Sequence, residues 1–365
     1  MRGGGICSEF CGGREEGETV RAGPGLYLGI LLAARAVAGD NAIPTVADIR
    51  AAGAYSVGQR GTCLLVIQGG KTIWEEYTGG SSETETNKIY SGTKAFWNLA
   101  ALAAEEDGLL TLNEAAADTV TEWRGDDQRA RITIRQLLDF SSGLDPTFYL
   151  HREGLKDRDT TAIGRALVAG PGREFIYGPC SLQVFHAILK RKLAARGETP
   201  TRYLERRVLV PLGLGPQRYL PDGAGNPLLA SGFMLSARQW AELGKLLLRG
   251  GEPVLHQAAL KDRFRGSRAN RAFGLGLWNN GSVGGLGSLF KGSVDIEEML
   301  EADWKKQRWD GVFLCRSAPP DLFASIGSAG QRLYVVPSLD LVVVRMGKGA
   351  KFSDPEFLKR LFPGR

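Results

Sequence analysis

Apolar and polar positions follow two rhythms along this chain, one at its ends and another through its middle. Thr62 to Ile67 (Thr-Cys-Leu-Leu-Val-Ile) is a continuous apolar, partly β-branched run; Gly69-Gly70 follows, then Thr72 to Tyr77. Two such runs joined by glycines predict a β-hairpin. Ser91 to Glu106 predicts a helix stopped at Asp107-Gly108, where glycine accepts the left-handed cap position. From Leu109 to about Leu229 the pattern is mostly helical, clearest over Ile132–Leu138 and Ser181–Ala195, with Pro171-Gly172 and Pro211-Leu212-Gly213 as punctuation. An amphipathic helix runs from Ala237 to Leu248 and meets Gly250-Gly251. Beyond residue 270 the rhythm becomes strand-like again: Phe273–Trp278 predicts one strand and Arg332–Val336 another. Pro337-Ser338-Leu339-Asp340 then turns the chain into Leu341–Arg345, and Asp354 to Leu361 predicts a closing helix.

Strands at both ends with helices between them imply an α+β fold, an α/β sandwich. A single antiparallel sheet would be built from the two chain ends, flanked by helices, with a mainly helical lobe inserted. The expected division is a leader over 1–42 and a catalytic domain over 43–365. In that domain 43–108 and 230–365 form the α/β lobe and 109–229 the helical one. No internal repeat of 20–50 residues is visible.

Composition narrows the functional classes. Net charge is +6, but acidic and basic residues are mixed along the chain. The densest basic runs, Lys190-Arg191-Lys192 and Glu205-Arg206-Arg207, fall in predicted helices and read as solvated faces, with no interleaved aromatics to suggest nucleic acid. The five cysteines are odd in number; Cys63 and Cys315 read as core strand residues, and Cys7 and Cys11 lack a second pair at zinc spacing. Three histidines, His151, His186 and His256, form no ligand motif, so neither a metal nor a cofactor is expected. Residues 25–34 are apolar, preceded by Arg21 and followed by Ala36-Val37-Ala38, which reads as a secretory signal and its cleavage site. Export is the expectation, against a short packing helix and a cytoplasmic location. That stretch is too short to span a bilayer.

The candidate chemistry sits at Tyr90-Ser91-Gly92-Thr93-Lys94. A serine hydroxyl is a poor nucleophile and needs a base and an oxyanion site. Residues three apart on a helix share a face, so Lys94 can reach Ser91. The helix start offers unpaired N–H groups and a positive dipole end. Burial beside the apolar run Ala95–Ala100 would lower the Lys94 pKa. Spacing alone leaves the plainer reading open, with Ser91 as a cap and Lys94 as a surface residue.

The order of its companions gives this motif weight. The hairpin, the Ser91–Lys94 helix and Ile132–Leu138 with Ser141-Ser142-Gly143-Leu144 come first. Pro171–Tyr177, Pro211-Leu212-Gly213-Leu214, Phe273–Trp278 and Gln331–Pro337 then follow in turn. Over roughly residues 45–350 the chain resembles the serine β-lactamase and penicillin-recognising family, in its class C-like branch, which also holds esterases, amidases and D-amino-acid peptidases. The resemblance implies Ser91 as nucleophile and Lys94 with Tyr177 as base and acid. It implies an oxyanion hole from the backbone N–H groups of Ser91 and Gln331. It places Ser328-Ala329-Gly330 against the substrate, where the family carries K-T-G. Tyr177-Gly178-Pro179 departs from the family's Y-x-N at its last position, and Ser328 stands where a cation is usual.

These departures remove two groups that hold a β-lactam's amide and carboxylate. The implied activity is acyl transfer from a small ester or amide substrate to Ser91 and then to water. A β-lactamase or D-amino-acid peptidase of the same fold is the alternative, and an inactive binding protein on this fold is the alternative from another class. Residues 109–229 and 279–325 should line the pocket, but carry no readable substrate signature. Oligomeric state is likewise silent in the sequence.

Overall fold

A computed structural model describes residues 43–256, 264–280, 292–349 and 351–363. The expectations for the 1–42 leader fall outside those residues. Helix α1 (Val46–Gly58) opens with a Thr45–Asp48 capping box, in which each side chain satisfies the other's backbone N–H. Strands β1 (Gly61–Gln68) and β2 (Lys71–Tyr77) form the expected hairpin. Gly69 and Gly70 both take positive φ, as a two-residue turn matched to strand twist requires. β1 is buried along nearly its whole length, whereas β2 is half exposed at the sheet edge.

The short strand β3 (Asn87–Lys88) leads to a tight turn at Tyr90–Gly92 and then helix α2 (Thr93–Glu106). The predicted helix therefore begins two residues late, and Ser91 lies in the turn that feeds it. Every residue of α2 from Thr93 to Ala104 is buried, so this helix runs through the core. The stretch from 109 to 229 contains less helix than its periodicity predicts. Helix α3 (Ile134–Leu138) and the long α4 (Pro179–Ala194) are joined by 3-10 turns, loops and a short helix over Arg158–Ile163.

β4 (Met234–Leu235) pairs with β3, and α5 (Ala237–Leu248) follows behind a Ser236 capping box. The expected strand over 273–278 is instead two, β5 (Phe273–Gly274) and β6 (Leu277–Asn279), because Leu275 and Gly276 take positive φ and turn the chain. Gly276 is needed there: a Cβ would lie 2.9 Å from Asn98 Nδ2 and 3.0 Å from Ala95 Cα. Cys315 is buried, but in a loop rather than a strand.

Helix α6 (Ile296–Glu301), strands β7 (Phe323–Gly327), β8 (Gln331–Val336) and β9 (Leu341–Gly347), and helix α7 (Asp354–Leu361) complete the described chain. The seven-stranded sheet runs β2-β1-β9-β8-β7-β6-β5, with all pairs antiparallel. This is the α+β arrangement expected from strands at both ends, with β1 and β9 side by side. Helix α5 lies so close to the sheet that a Cβ on Gly244 would meet Val342 Cγ1 at 2.6 Å. Helices α1 and α7 pack against each other. The basic runs are paired, Arg191 with Glu122, Lys192 with Glu114, Arg206 with Glu198 and Arg207 with Asp107; Arg191 and Arg206 are exposed, and Lys192 and Arg207 half-buried. No helix of the described residues is long and apolar enough to cross a membrane, and no cluster of metal-ligating side chains occurs among them.

Candidate active site

Ser91 is half buried at the mouth of a cavity of about 540 Å³. Its turn is unusual in two respects. Tyr90, just before it, holds φ at +48°, a left-handed conformation that disfavours any residue with a Cβ. Gly92, just after it, has no room for a side chain, since a Cβ would meet Trp240 Cζ2 at 2.7 Å. The turn thus lifts the Ser91 hydroxyl out of the helix while its backbone stays pinned against α5.

Lys94, on the first turn of α2, is only 2% exposed. Its Nζ donates to Ser91 Oγ at 2.8 Å and to the Ala230 carbonyl at 2.9 Å. It also stands 4.8 Å from the centre of the Tyr177 ring. Burial brings the ammonium pKa down to about 7, because a charge inside the core loses its hydration. Asn98 donates to the Lys94 carbonyl at 2.8 Å and steadies the helix turn that carries it.

Tyr177 enters from the start of α4. Its ring packs on Phe140 at a centroid distance of 4.9 Å and on Phe273 and Trp278 further out. Burial pushes its phenol above the ordinary range; the Ser91 side chain pulls the other way and the Glu297 carboxylate adds to the rise. Gly178 is forced by space, as a Cβ there would lie 2.6 Å from the Pro146 carbonyl. Pro179 is the first residue of α4, a position that suits proline because its missing N–H has no helical partner. The Ser142–Gly143 turn braces this helix through a 2.8 Å hydrogen bond between Ser142 Oγ and Ser181 Oγ.

The structure therefore brings Ser91, Lys94 and Tyr177 to one cavity, with Ser328 and Ala329 on the opposite wall. Gly330 and Gln331 lie elsewhere. Gly330 is buried behind the turn, where a Cβ would collide with Arg345 Nη1 at 2.2 Å. Gln331 is 2% exposed; its side-chain amide donates to the Gly347 carbonyl in β9, and its position is that of a brace. Gln331, expected to supply an oxyanion N–H, belongs to β8 and pairs with Gly327 in the β7–β8 register. The turn residues that line Ser91's pocket are Ser328 and Ala329.

Several cavity residues escaped the sequence reading. Phe148 and His151 come from the loop after α3, with their rings stacked at 6.5 Å. His151 is exposed at the cavity rim, yet its imidazolium is disfavoured by crowding of the ring first and by Lys94 next. Lys88 precedes the nucleophile turn with Nζ 5.0 Å from the Tyr90 ring centre. Trp278 and Glu297 complete the walls. Apart from Trp278, which ends the Phe273–Trp278 run, none sits in a periodic segment, and the aromatic pair Phe148-Tyr149 beside His151 is the one local signal.

A family model named Beta-lactamase matches residues 35–361. The chain belongs to this Beta-lactamase family of serine hydrolases. Among curated proteins it is similar to Protein flp of Staphylococcus aureus (strain COL), 27% identical over 168 residues, which is 42% of this chain and 33% of that protein. The match thus spans about a third of the length of that relative. Among solved structures it is similar to a class C beta lactamase from Rhodobacter sphaeroides, with TM-score 0.62 and 18% identity, covering 87% of this chain and 98% of that one. It is also similar to EstCE1, a hydrolase with promiscuous acyltransferase activity, with TM-score 0.59 and 20% identity, covering 87% of this chain and 99% of that one. These two likenesses bear on the fold.

Proposed function

We propose that the protein hydrolyses a small ester or amide through an acyl-enzyme on Ser91. The observation that carries this reading is the 2.8 Å contact from buried Lys94 Nζ to Ser91 Oγ. With its pKa near 7, a large share of Lys94 is the neutral amine that a base must be. In the first step Oγ bonds to the carbonyl carbon, its proton passes to Lys94, and the carbonyl oxygen becomes an oxyanion. The N–H groups of Ser91 and Ser328 are the donors proposed for that oxyanion, in place of the Gln331 amide.

Tyr177 is assigned the acid role. Its raised pKa keeps the phenol protonated at neutral pH, so it delivers a proton to the departing alkoxide or amine and recovers one from the Lys94 ammonium. Collapse of the oxyanion breaks the bond to the leaving group and leaves the acyl group on Ser91. Water then attacks the acyl carbonyl, gives its proton to the same relay, and releases the acid with Ser91 restored. No step calls on a cofactor.

The expected lack of a cation at Ser328 supports an acyl donor without a required carboxylate. Lys88 favours a second reading, since it adds a cation on the nucleophile's side of the cavity. In that reading an anionic donor such as a β-lactam is also turned over. Export of the chain remains a proposal resting on its leader sequence.

The test is labelling by a fluorophosphonate probe together with p-nitrophenyl acetate and nitrocefin turnover. Wild type should label and cleave the ester, and Ser91→Ala should do neither. Nitrocefin turnover abolished by Lys88→Ala would move the assignment to the second reading. Absence of labelling in wild type, or equal labelling of Ser91→Ala, would leave only an inactive binding protein.

A further inference from the structure

The turn between β7 and β8 has most of its backbone groups held by the protein. The Gly327 carbonyl accepts from Arg332 Nη1 at 2.8 Å, and the Gln331 carbonyl accepts from the same nitrogen at 3.0 Å. The Gly330 carbonyl accepts from Arg345 Nη1 at 2.7 Å. Glu297 takes two N–H groups: Ala329 donates to Oε1 at 3.0 Å and Gly330 to Oε2 at 3.3 Å. Ser328 N–H meets no protein acceptor among the described residues, and Ser328 itself lines the cavity. Ser328 is exposed on the pocket wall, so its N–H is open to a bound group.

The conformation that exposes it is unfavourable. Ala329 holds φ at +61° and Gly330 at +75°, and an alanine in that region is uncommon. Consecutive N–H groups in such a turn converge on one side and make a concave anion site. Glu297 occupies this concavity with its carboxylate. Its other contact is Arg332 Nη2 at 2.7 Å, and Arg332 is itself held by Asp354 at 2.7 and 3.0 Å. Both arginines are 0% exposed and stand opposite each other in the β8–β9 register.

We infer that Glu297, fixed by Arg332, is a positioning residue that holds the Ala329–Gly330 turn in its left-handed form and so aims the Ser328 N–H at the substrate oxyanion. This inference rests on the acyl-hydrolase reading of Ser91. Glu297 touches neither the nucleophile nor the reacting carbonyl; it acts through the turn. Without it the two N–H groups lose their acceptor and Ala329 has reason to relax to negative φ, which rotates the peptide that carries Ser328.

The test compares p-nitrophenyl acetate with its thiono analogue in wild type, Glu297→Ala, Glu297→Gln and the exposed neighbour Glu298→Gln. A sulfur at the carbonyl position gains little from an oxyanion hole, so the ratio of oxo to thiono kcat/KM reports on that hole and not on general packing. Glu297→Ala should lose about 10²-fold in kcat for the oxo ester, with KM little changed, and its oxo-to-thiono ratio should fall at least about tenfold. Glu297→Gln keeps one acceptor oxygen and should fall between, and it decides the matter if the alanine variant does not fold. Glu298→Gln should match wild type. The inference is overturned if a folded Glu297 variant keeps the wild-type ratio while Ser91 still labels with the fluorophosphonate. Failure of wild type to label would instead remove the Ser91 reading on which it depends.

Discussion

Gly327 and Ile89 press their backbones together: a Cβ on Gly327 would stand 2.0 Å from the Ile89 carbonyl oxygen. Ile89 lies two residues before Ser91, and Gly327 one residue before Ser328. This single contact sets the gap between the nucleophile and the turn assigned to the oxyanion. Gly327→Ala should lower stability by about 3 kcal/mol and abolish probe labelling, because a backbone carbonyl has nowhere to retreat. Gly292→Ala, where a Cβ meets nothing within 4 Å, should be neutral in thermal unfolding. Equal behaviour of the two variants would mean that the contact does not set the gap.

Lys94 should impose an acidic limb on the pH profile. Its pKa near 7 means that kcat/KM for an ester should fall about tenfold per pH unit below that point and level off above it. The stability effect has the same direction. A lysine with a folded pKa below its unfolded one is destabilising when charged, fully so below about pH 7. That penalty fades as pH rises toward about 10, so stability should climb across this window. Lys94→Met should remove both dependences, which denaturant titrations at pH 6 and 9 would reveal.

Tyr177→Phe keeps the ring among Phe140, Phe273 and Trp278 and deletes only the phenol. Its kcat should drop about 10²–10³-fold with little change in melting temperature. Esters with better leaving groups need less protonation and should be less affected. Retained activity toward poor leaving groups would place the acid elsewhere, with His151 the next candidate on the cavity wall.

Asp139 ties α3 to the β5–β6 turn by accepting from the Leu275 N–H at 3.0 Å, beside Arg135 at 3.4 Å. Burial raises its pKa from 3.8 to about 6, against the pull of Arg135 and the Leu275 N–H. Between those values the folded protein holds a proton that the unfolded chain has released, so stability should decline as pH rises through the window. The loss is on the order of 3 kcal/mol. Asp139→Asn keeps the acceptor oxygen and should flatten this segment of the stability curve. A variant curve parallel to wild type from pH 4 to 6 would refute the assignment.

The sequence made some of this molecule readable and hid the rest for physical reasons. The β1–β2 hairpin, α2 and α5 announce themselves because continuous apolar runs, paired glycines and capping residues act locally. Ser91, Lys94 and Tyr177 were legible through an ordered set of turns. Phe148, His151 and Glu297 were not, because nothing local marks a loop or a one-turn helix that long-range packing carries to the cavity. The setting of Gln331 was hidden for the same reason. Strand pattern locates β8, but which N–H faces the pocket depends on the left-handed Ala329 and on a carboxylate 32 residues away. The split at Leu275-Gly276 was equally invisible, since a glycine in an apolar run suits a strand until Asn98 and Ala95 are packed beneath it.

The pairing of Arg332 with Asp354 also constrains how the molecule comes into being. Ser91 and Lys94 are synthesised early, yet the turn facing them is held by Glu297, whose partner Arg332 is fixed by Asp354 of α7, and by β9, which must find β1 across most of the sequence. Such distant pairings form slowly. If Ser91 is the nucleophile proposed above, a growing chain on the ribosome carries it long before the turn opposite is in place, and gains activity only once residue 354 has emerged and docked.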